Sequence, residues 1–380
     1  MKKTLLRAVV TLIVLAMLLT TVSCSGKGQT LLSLEKDGIK VSLSINAFEL
    51  LMARQKATLS EIQNVGNDSF WDTYTGSPAK TMDDFYRDNI LENCKTYLVI
   101  LYLFEKEGLS LSDAELQNVE DTMEEFIKTD GDGSKTKLNA VLAEYGVNYN
   151  ILKDVYIMMA KIEAYQNHLA SRIGDDIKTT YMTTNYVHFN QIYLPFQKFV
   201  YETNENGEQV KVTNEDGTYK MVDMTEAEKA TLKAEKNIYL KELQGATPES
   251  FVSYTEEVVY KEKDFGKDEN TDGYYIRRAN YTGSRSYLND IIAACDSLSD
   301  GDITEVETDF GYFIIQKDAF TEKAYDHEAN KSGWFEDFDS LVTNQVLGEL
   351  CQPHLSAVQV NMDVYAKAPS MKEVKKCYFY

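Results

Sequence analysis

The side chains most able to do chemistry are few and scattered. Four histidines, His168, His188, His327 and His354, stand apart in sequence, and no GxSxG or HExxH stretch occurs. Neither a serine nucleophile on a sharp turn nor a helical zinc pair is therefore indicated. Cys94, Cys295, Cys351 and Cys377 have no CxxC spacing, which argues against a zinc site and against a disulfide framework. Buried free thiols are the expectation, with Cys377 a candidate for an exposed, reactive one. Asp130-Gly131-Asp132-Gly133 has the composition of a calcium loop but lacks the alternating ligands and closing glutamate of one, so it reads as a turn. His188 lies in a β-branched and aromatic run, VHFNQIYLPF, three residues before Gln191. Alternation along a strand puts those two on opposite faces, and His188 reads as a surface or satisfied histidine. No metal and no cofactor is expected.

These residues must be positioned by a chain of 380 residues, too long for one core, so two or more domains are expected. Hydrophobic content of 43% excludes global disorder, and a formal net charge of −21 argues against nucleic acid as a partner, since phosphates need a basic face. Lys2, Lys3 and Arg7 precede an apolar run, Ala8 to Leu19, that is short for a membrane span. This is the pattern of an export signal. A small residue followed by Cys24 and a polar Ser-Gly-Lys-Gly resembles the lipobox of bacterial lipoproteins. That resemblance implies a signal peptide over 1–23, lipid attachment at Cys24, and a position on the extracytoplasmic face of the bacterial cell membrane. Cleavage near Ser23 with an idle cysteine is the alternative.

Beyond the leader, LLSLEKDGIKVSLSI alternates on both sides of Asp37-Gly38 and predicts a hairpin within 24–44. Thr81 opens a helix that runs through Tyr97–Phe104 and stops at Gly108; Ser112-x-x-Glu115 is a capping box for the next. A third helix is predicted over about 135–145 and a fourth over 150–170. The fourth carries Ile151, Val155, Met158, Met159, Ile162 and Tyr165 on one broad face. That stripe suits either a core or a client-binding surface. From Tyr186 the texture turns to strand. Asn206-Gly207 and Asp216-Gly217 then predict a β-excursion or flap, Thr225-x-x-Glu228 caps a helix, and a strand at Gly273, a helix over 287–298 and a final strand after Gly311 follow. Trp334 to Leu350 reads as a helix ending before Pro353, and 358–365 as one more strand.

The block KTMDDFYRDNILENCKTYLVILYLFEKEGLSLSDAEL and the ending LSDGDITEVETDFGYFIIQK together resemble exported foldases and chaperones of the SurA and PrsA kind. The resemblance spans about 30–360. It implies an α+β chain: a helical chaperone domain over 45–174, a parvulin-like peptidyl-prolyl isomerase domain over 175–321, and a C-terminal helix and tail over 322–380. That helix would return to the N-terminal domain through Trp334, Phe335, Phe338, Leu341 and Val342. Its partners would be unfolded or proline-containing exported polypeptides. Such an isomerase needs no nucleophile. The barrier to X-Pro rotation, roughly 20 kcal/mol, is lowered by an apolar cleft and donors suited to the twisted amide.

Carried over position by position, the resemblance points to a degenerate site. The family's first-strand histidine falls on Gln191, followed by Ile192, and its second on Phe313. The apolar pair that grips proline falls on Tyr287 and Ile291. The expected substrate pocket is thus Ile192, Tyr287, Ile291 and Phe313, with Gln191 as a substitute donor. The acidic position has no register among Asp264, Asp268 and Asp272. Strands 186–194 and 311 onward are expected as the outer strands of a small sheet. An active isomerase and a ligand- or partner-binding surface lipoprotein are the alternatives to a chaperone with a degenerate site. The repeated βα units of a two-lobed solute-binding protein are not evident.

Overall fold

The computed structural model describes residues 22–23, 28–62, 68–76, 79–265, 270, 272–331 and 333–379. The expected leader, apart from Val22–Ser23, and the lipid site Cys24 lie outside them, as does Asp268. The chain forms two compact units, Met1–Ile173 with Thr343–Tyr380, and Gly174–Val342. The second division falls inside the C-terminal helix Phe338–Leu355.

In the first unit β1 (Thr30–Lys36) and β2 (Ile39–Ser44) pair antiparallel about Asp37-Gly38, both at positive φ, which matches the twist of a tight hairpin. Leu32, Leu34, Val41 and Leu43 are buried. The helices are α1 (Ile45–Ile62), α2 (Met82–Lys106), α3 (Asp113–Thr129), α4 (Lys135–Leu142) and α5 (Tyr149–Ala170). Thr81 caps α2 through Asp84 N–H, and Ser112 and Glu115 form the reciprocal box of α3. The second half of α2 is buried all round, from Leu98 to Phe104, as befits a central helix. Ile151, Val155, Met158, Ile162 and Tyr165 of α5 are buried and Met159 partly so, which makes the stripe core. Asp130–Gly133 is a turn: Gly133 N–H donates to Ile127 O (2.8 Å), and Asp132 pairs with Lys137.

The C-terminal segment departs from expectation. The last helix passes through Pro353 and ends at Leu355, because a proline in the final turn forfeits only one backbone bond. Only Gln359–Val360 of the tail is strand, paired with β1; Asn361 then caps a helical turn, Met362–Tyr365. Leu347, Cys351, Met371, Cys377 and Phe379 belong to the first unit's core. Trp334, Phe335 and Phe338 do not. Trp334 lies against Tyr274 (5.6 Å), Phe335 against Tyr186 (5.0 Å), and Phe338 against Tyr325 (4.8 Å) and Tyr181 (5.6 Å), all within the second unit. Cys377 is fully buried, and burial raises its thiol pKa, so it is neither exposed nor poised to react.

The second unit begins with α6 (Asp175–Asn185) and β3 (Tyr186–Pro195). A flap follows: β4 (Gln197–Phe199), β5 (Tyr201–Thr203), β6 (Gln209–Lys211) and β7 (Met221–Asp223), with β4 paired to β7 and β5 to β6. Then come α7 (Glu226–Glu242), α8 (Pro248–Tyr254), β8 (Tyr274–Arg277), α9 (Tyr287–Ser297), β9 (Ile303–Glu307) and β10 (Gly311–Lys317). The main sheet runs β8-β3-β10-β9, antiparallel throughout. β3 and β10 are therefore the adjacent central pair and not the outer strands. Both are almost wholly buried, and a strand covered on both faces belongs in the middle of a sheet. A Cβ at Gly311 would meet Leu194 O at 2.3 Å, so that close pairing requires glycine.

Candidate functional site

The alternation of β3 and β10 sorts their side chains onto two faces with different chemistry. On the first, Val187, Phe189, Phe313 and Ile315 pack with Leu288, Ile291, Ile292 and Cys295 of α9. On the second, Ile192, Leu194, Tyr312 and Ile314 pack with Leu232 and Tyr239 of α7 and Phe251 of α8.

The first face holds most of the expected site. Phe313, 3% exposed, is held between two rings: Tyr193, directly opposite on β3, stacks on it at 4.5 Å and 17°, and Tyr287 of α9 at 5.4 Å and 9°. Phe310 meets Tyr287 edge-on at 5.7 Å. The Tyr193 hydroxyl donates to Phe310 O at 3.2 Å. Burial, reinforced by Tyr287, raises the Tyr193 phenol pKa. Ile291 is fully buried beneath. Gln191 stands opposite Ile315, one diagonal step from Phe313 on the same face, a backbone separation of about 7–8 Å that long and aromatic side chains can span. It borders a water-sized cavity of about 20 Å³ with Asn190, Thr255, Asn270 and Tyr274.

Ile192 is a correction. It is fully buried in the second cluster, across the sheet from Tyr287, Ile291 and Phe313, because adjacent strand residues point opposite ways. The acids do not complete the first face either. Asp264 is engaged by Lys211 (3.0 Å) and the Tyr201 hydroxyl (3.0 Å) beside the flap, and Asp272 borders a cavity with Asn190 and Asp318. Cys295 is buried, its thiol pushed up to about 12. The stack thus offers aromatic surface and phenol groups, without a paired acid and base.

The second face carries polar chemistry that sequence reasoning passed over. His188, Asn190 and Asp318 are 4%, 6% and 6% exposed. As alternation predicts, His188 faces away from Gln191; its ring lies flat on Tyr275 at 4.1 Å. Its Nδ1 is 2.7 Å from Ala319 O and its Nε2 2.8 Å from Asp272 O. Gly273 (φ +80) makes room: a Cβ there would meet His188 Nε2 at 2.8 Å and Phe189 O at 3.0 Å. Asn190 donates to Asp318 Oδ2. Burial, against the opposing pull of the nearby His188, pushes the Asp318 carboxyl up to about 6. The available signal was two polar residues, His188 and Asn190, at alternate positions on the strand face that also carries Ile192 and Leu194. Of the other three histidines, His168 meets Glu107 at 3.1 Å, His354 meets Lys36 Nζ at 2.9 Å, and His327 Nδ1 lies 3.9 Å from Asp272 Oδ2.

No family model matches the chain, and no curated protein matches it. The chain is similar to PrsA foldases and to SurA-like chaperones. The solved structures include PrsA peptidylprolyl isomerases of Bacillus anthracis (17% identity, 70% of this chain and 96% of that chain, TM-score 0.25) and Bacillus cereus (17%, 78% and 97%, 0.28). A third is a SurA-like chaperone structure of Campylobacter jejuni (10%, 88% and 98%, 0.25). Among the described residues, no helix is long and apolar enough to cross a membrane.

Proposed function

We propose that this chain is an extracytoplasmic, lipid-anchored chaperone of exported polypeptides whose isomerase-like sheet has lost its chemistry. The observation that carries the second half is the closed stack Tyr193, Phe313, Tyr287. A benzyl ring fills the position that the family resemblance gives to imidazole, and the rings of Tyr193 and Tyr287 both stack on it. Lowering the X-Pro barrier requires a cleft that admits proline and donors aimed at the twisted amide. A stack filled by the Phe313 ring leaves no such cleft, and the Tyr193 hydroxyl is already given to Phe310 O.

The chaperone half is supported by the first unit. A cavity of about 430 Å³ lies between α3 and α5, bordered by Val119, Thr122, Tyr156, Met159, Ala160 and Asn167. Adaptable thioether and aromatic surface beside amides suits loose binding of unfolded segments. The leader pattern and Cys24 would hold that surface at the membrane where exported chains emerge.

The test is a prolyl-peptide turnover assay beside an aggregation assay on one preparation of the full chain. The expected result is no acceleration over spontaneous isomerisation, together with suppressed aggregation of a denatured client. Acceleration that disappears in Ile291→Asp would overturn the degenerate-site reading and establish an active isomerase. Absence of both activities would sink the chaperone reading.

A further inference from the structure

The half-satisfied carboxylate on the second face of the sheet points to a site separate from the aromatic stack. Asp318 Oδ2 is taken by Asn190, but Oδ1 has no hydrogen-bond partner among the described residues. Leaving a buried acceptor unmatched costs about 1–3 kcal/mol, more for a charged one. His188 does not supply the missing donor, since both its ring nitrogens are committed to backbone carbonyls. Asp318 borders a cavity of about 520 Å³, shared with Pro248, Glu249, Ser253, Asp272 and Thr321. That size suits a small ligand or a side chain with its flanking backbone. Three carboxylates and the His188 imidazole border the cavity; Glu249 and Asp272 are exposed and form the rim, where His327 Nδ1 lies 3.9 Å from Asp272 Oδ2. The described residues contain no trio of His, Cys, Asp or Glu placed to hold a metal ion. The matching ligand is therefore an N–H donor carrying positive charge.

We propose that this cavity binds an organic cation, a guanidinium or ammonium group, that pairs with the Asp318 carboxylate in its wall while Glu249 and Asp272 attract it at the mouth. The groups facing Asp318 are His188 and Asn190 from β3, Glu249 from α8 and Asp300 from the turn before β9. The cation reverses the effect of burial: a carboxyl held at about 6 in the empty cavity ionises fully once its counter-charge arrives. Binding near that pH therefore releases a proton. The cation can come from an arginine or lysine side chain of a polypeptide or from a free amine.

The experiment is calorimetric titration of the full chain with N-acetyl-arginine amide, its neutral citrulline analogue, and acetyl-Gly-Arg-Gly-amide. Citrulline is expected to bind at least about tenfold more weakly than arginine, and Asp318→Asn to weaken the arginine probe by a similar factor. Near about pH 6, the heat should differ between buffers of different ionisation enthalpy by the amount that proton release requires, and not at about pH 8. Glu249→Gln, an exposed position, should weaken the probe about two- to threefold, and added salt should do the same. Tighter binding of the tripeptide than of the amide assigns the cation to a polypeptide side chain; equal binding assigns it to a free solute. Equal affinity for arginine and citrulline, no heat with any probe, or unchanged binding by a folded Asp318→Asn would overturn the proposal. If Asp318→Asn does not fold, the citrulline comparison and Glu249→Gln decide.

Discussion

Replacing Phe313 by alanine separates a ring that fills a core from a ring that lines a working cleft. Phe313 is 3% exposed in the central strand β10, and truncating a buried phenylalanine costs about 3–5 kcal/mol through lost transfer energy and the cavity left behind. Two stacked partners at 4.5 Å and 5.4 Å put this site at the upper end of that range, since each aromatic pair adds about 0.5–1.5 kcal/mol beyond burial. The expected loss is about 4–5 kcal/mol. For a unit of this size that lowers its melting temperature by roughly 8–20 °C. Because two units need not unfold together, the readout is amide hydrogen exchange at β3 and β10, with the hairpin amides of β1 and β2 as the unperturbed reference. Phe313→His keeps a ring but buries a polar group among partners that offer it little, and should cost about 1–3 kcal/mol without generating isomerase turnover. A loss below about 1 kcal/mol in Phe313→Ala, or turnover appearing in Phe313→His, would refute the filled-stack reasoning.

Three further outcomes follow from buried groups. The Asp318 pKa is raised in the folded state from 3.8 to about 6, so folding favours its protonated form. That contribution is present at acid pH and is lost as pH rises through about 4 to 7. Asp318→Asn, which never ionises, should gain stability relative to wild type across that window, up to on the order of 3 kcal/mol, as chemical denaturation at several pH values will measure; a flat difference would show that the carboxyl is not held up by burial. Cys94, Cys295, Cys351 and Cys377 are all buried with raised thiol pKa values. None should react with an aromatic disulfide reagent in the native chain, and all four should in denaturant; rapid native labelling of Cys377 would contradict the packing of the tail. Truncation after Ser370 removes buried Met371, Cys377 and Phe379 and the two carbonyls, of Lys372 and Val374, that accept from buried Lys56. Loss of at least about 4 kcal/mol from the first unit is expected, read as faster hydrogen exchange in α1, and unchanged exchange there would refute it.

Local signals in the sequence were accurate wherever a few neighbouring residues decide the backbone. The Asp37-Gly38 hairpin and the caps at Thr81, Ser112 and Thr225 all form where their residue types stand. Helix α1 was not evident because its first turn has no acid and its cap, Ser44, whose hydroxyl accepts from Ala47 N–H, is itself the last residue of β2. Strand order was also not evident, since pairing β3 with β10 joins segments separated by more than a hundred residues. The face of Ile192, by contrast, was legible in the sequence. The alternation that separates His188 from Gln191 separates Ile192 from Phe313 just as firmly, once β3 and β10 are neighbours. Asp318 was invisible for a different reason: it follows the end of β10, and only the register that sets Gln316 opposite Asn190 brings its carboxyl to that amide.

The same sheet therefore presents two sites of opposite character, and stability explains only one. Burying Phe313 between two rings is favourable by any estimate, so the first face needs no ligand to account for it. The second face divides further. His188 has a structural role: its ring nitrogens lie against the carbonyls of Asp272, before β8, and Ala319, after β10, and it donates to at least one of them. Asp318 is only half engaged. One oxygen is bound, the other is not, and burial works against its charge. A leucine or asparagine there would relieve that cost. Among the described residues Gln316 Oε1 on β10 also lacks a partner, but a carboxylate gains more than an amide from a donor supplied from outside, which makes Asp318 the group on this sheet best placed to use one.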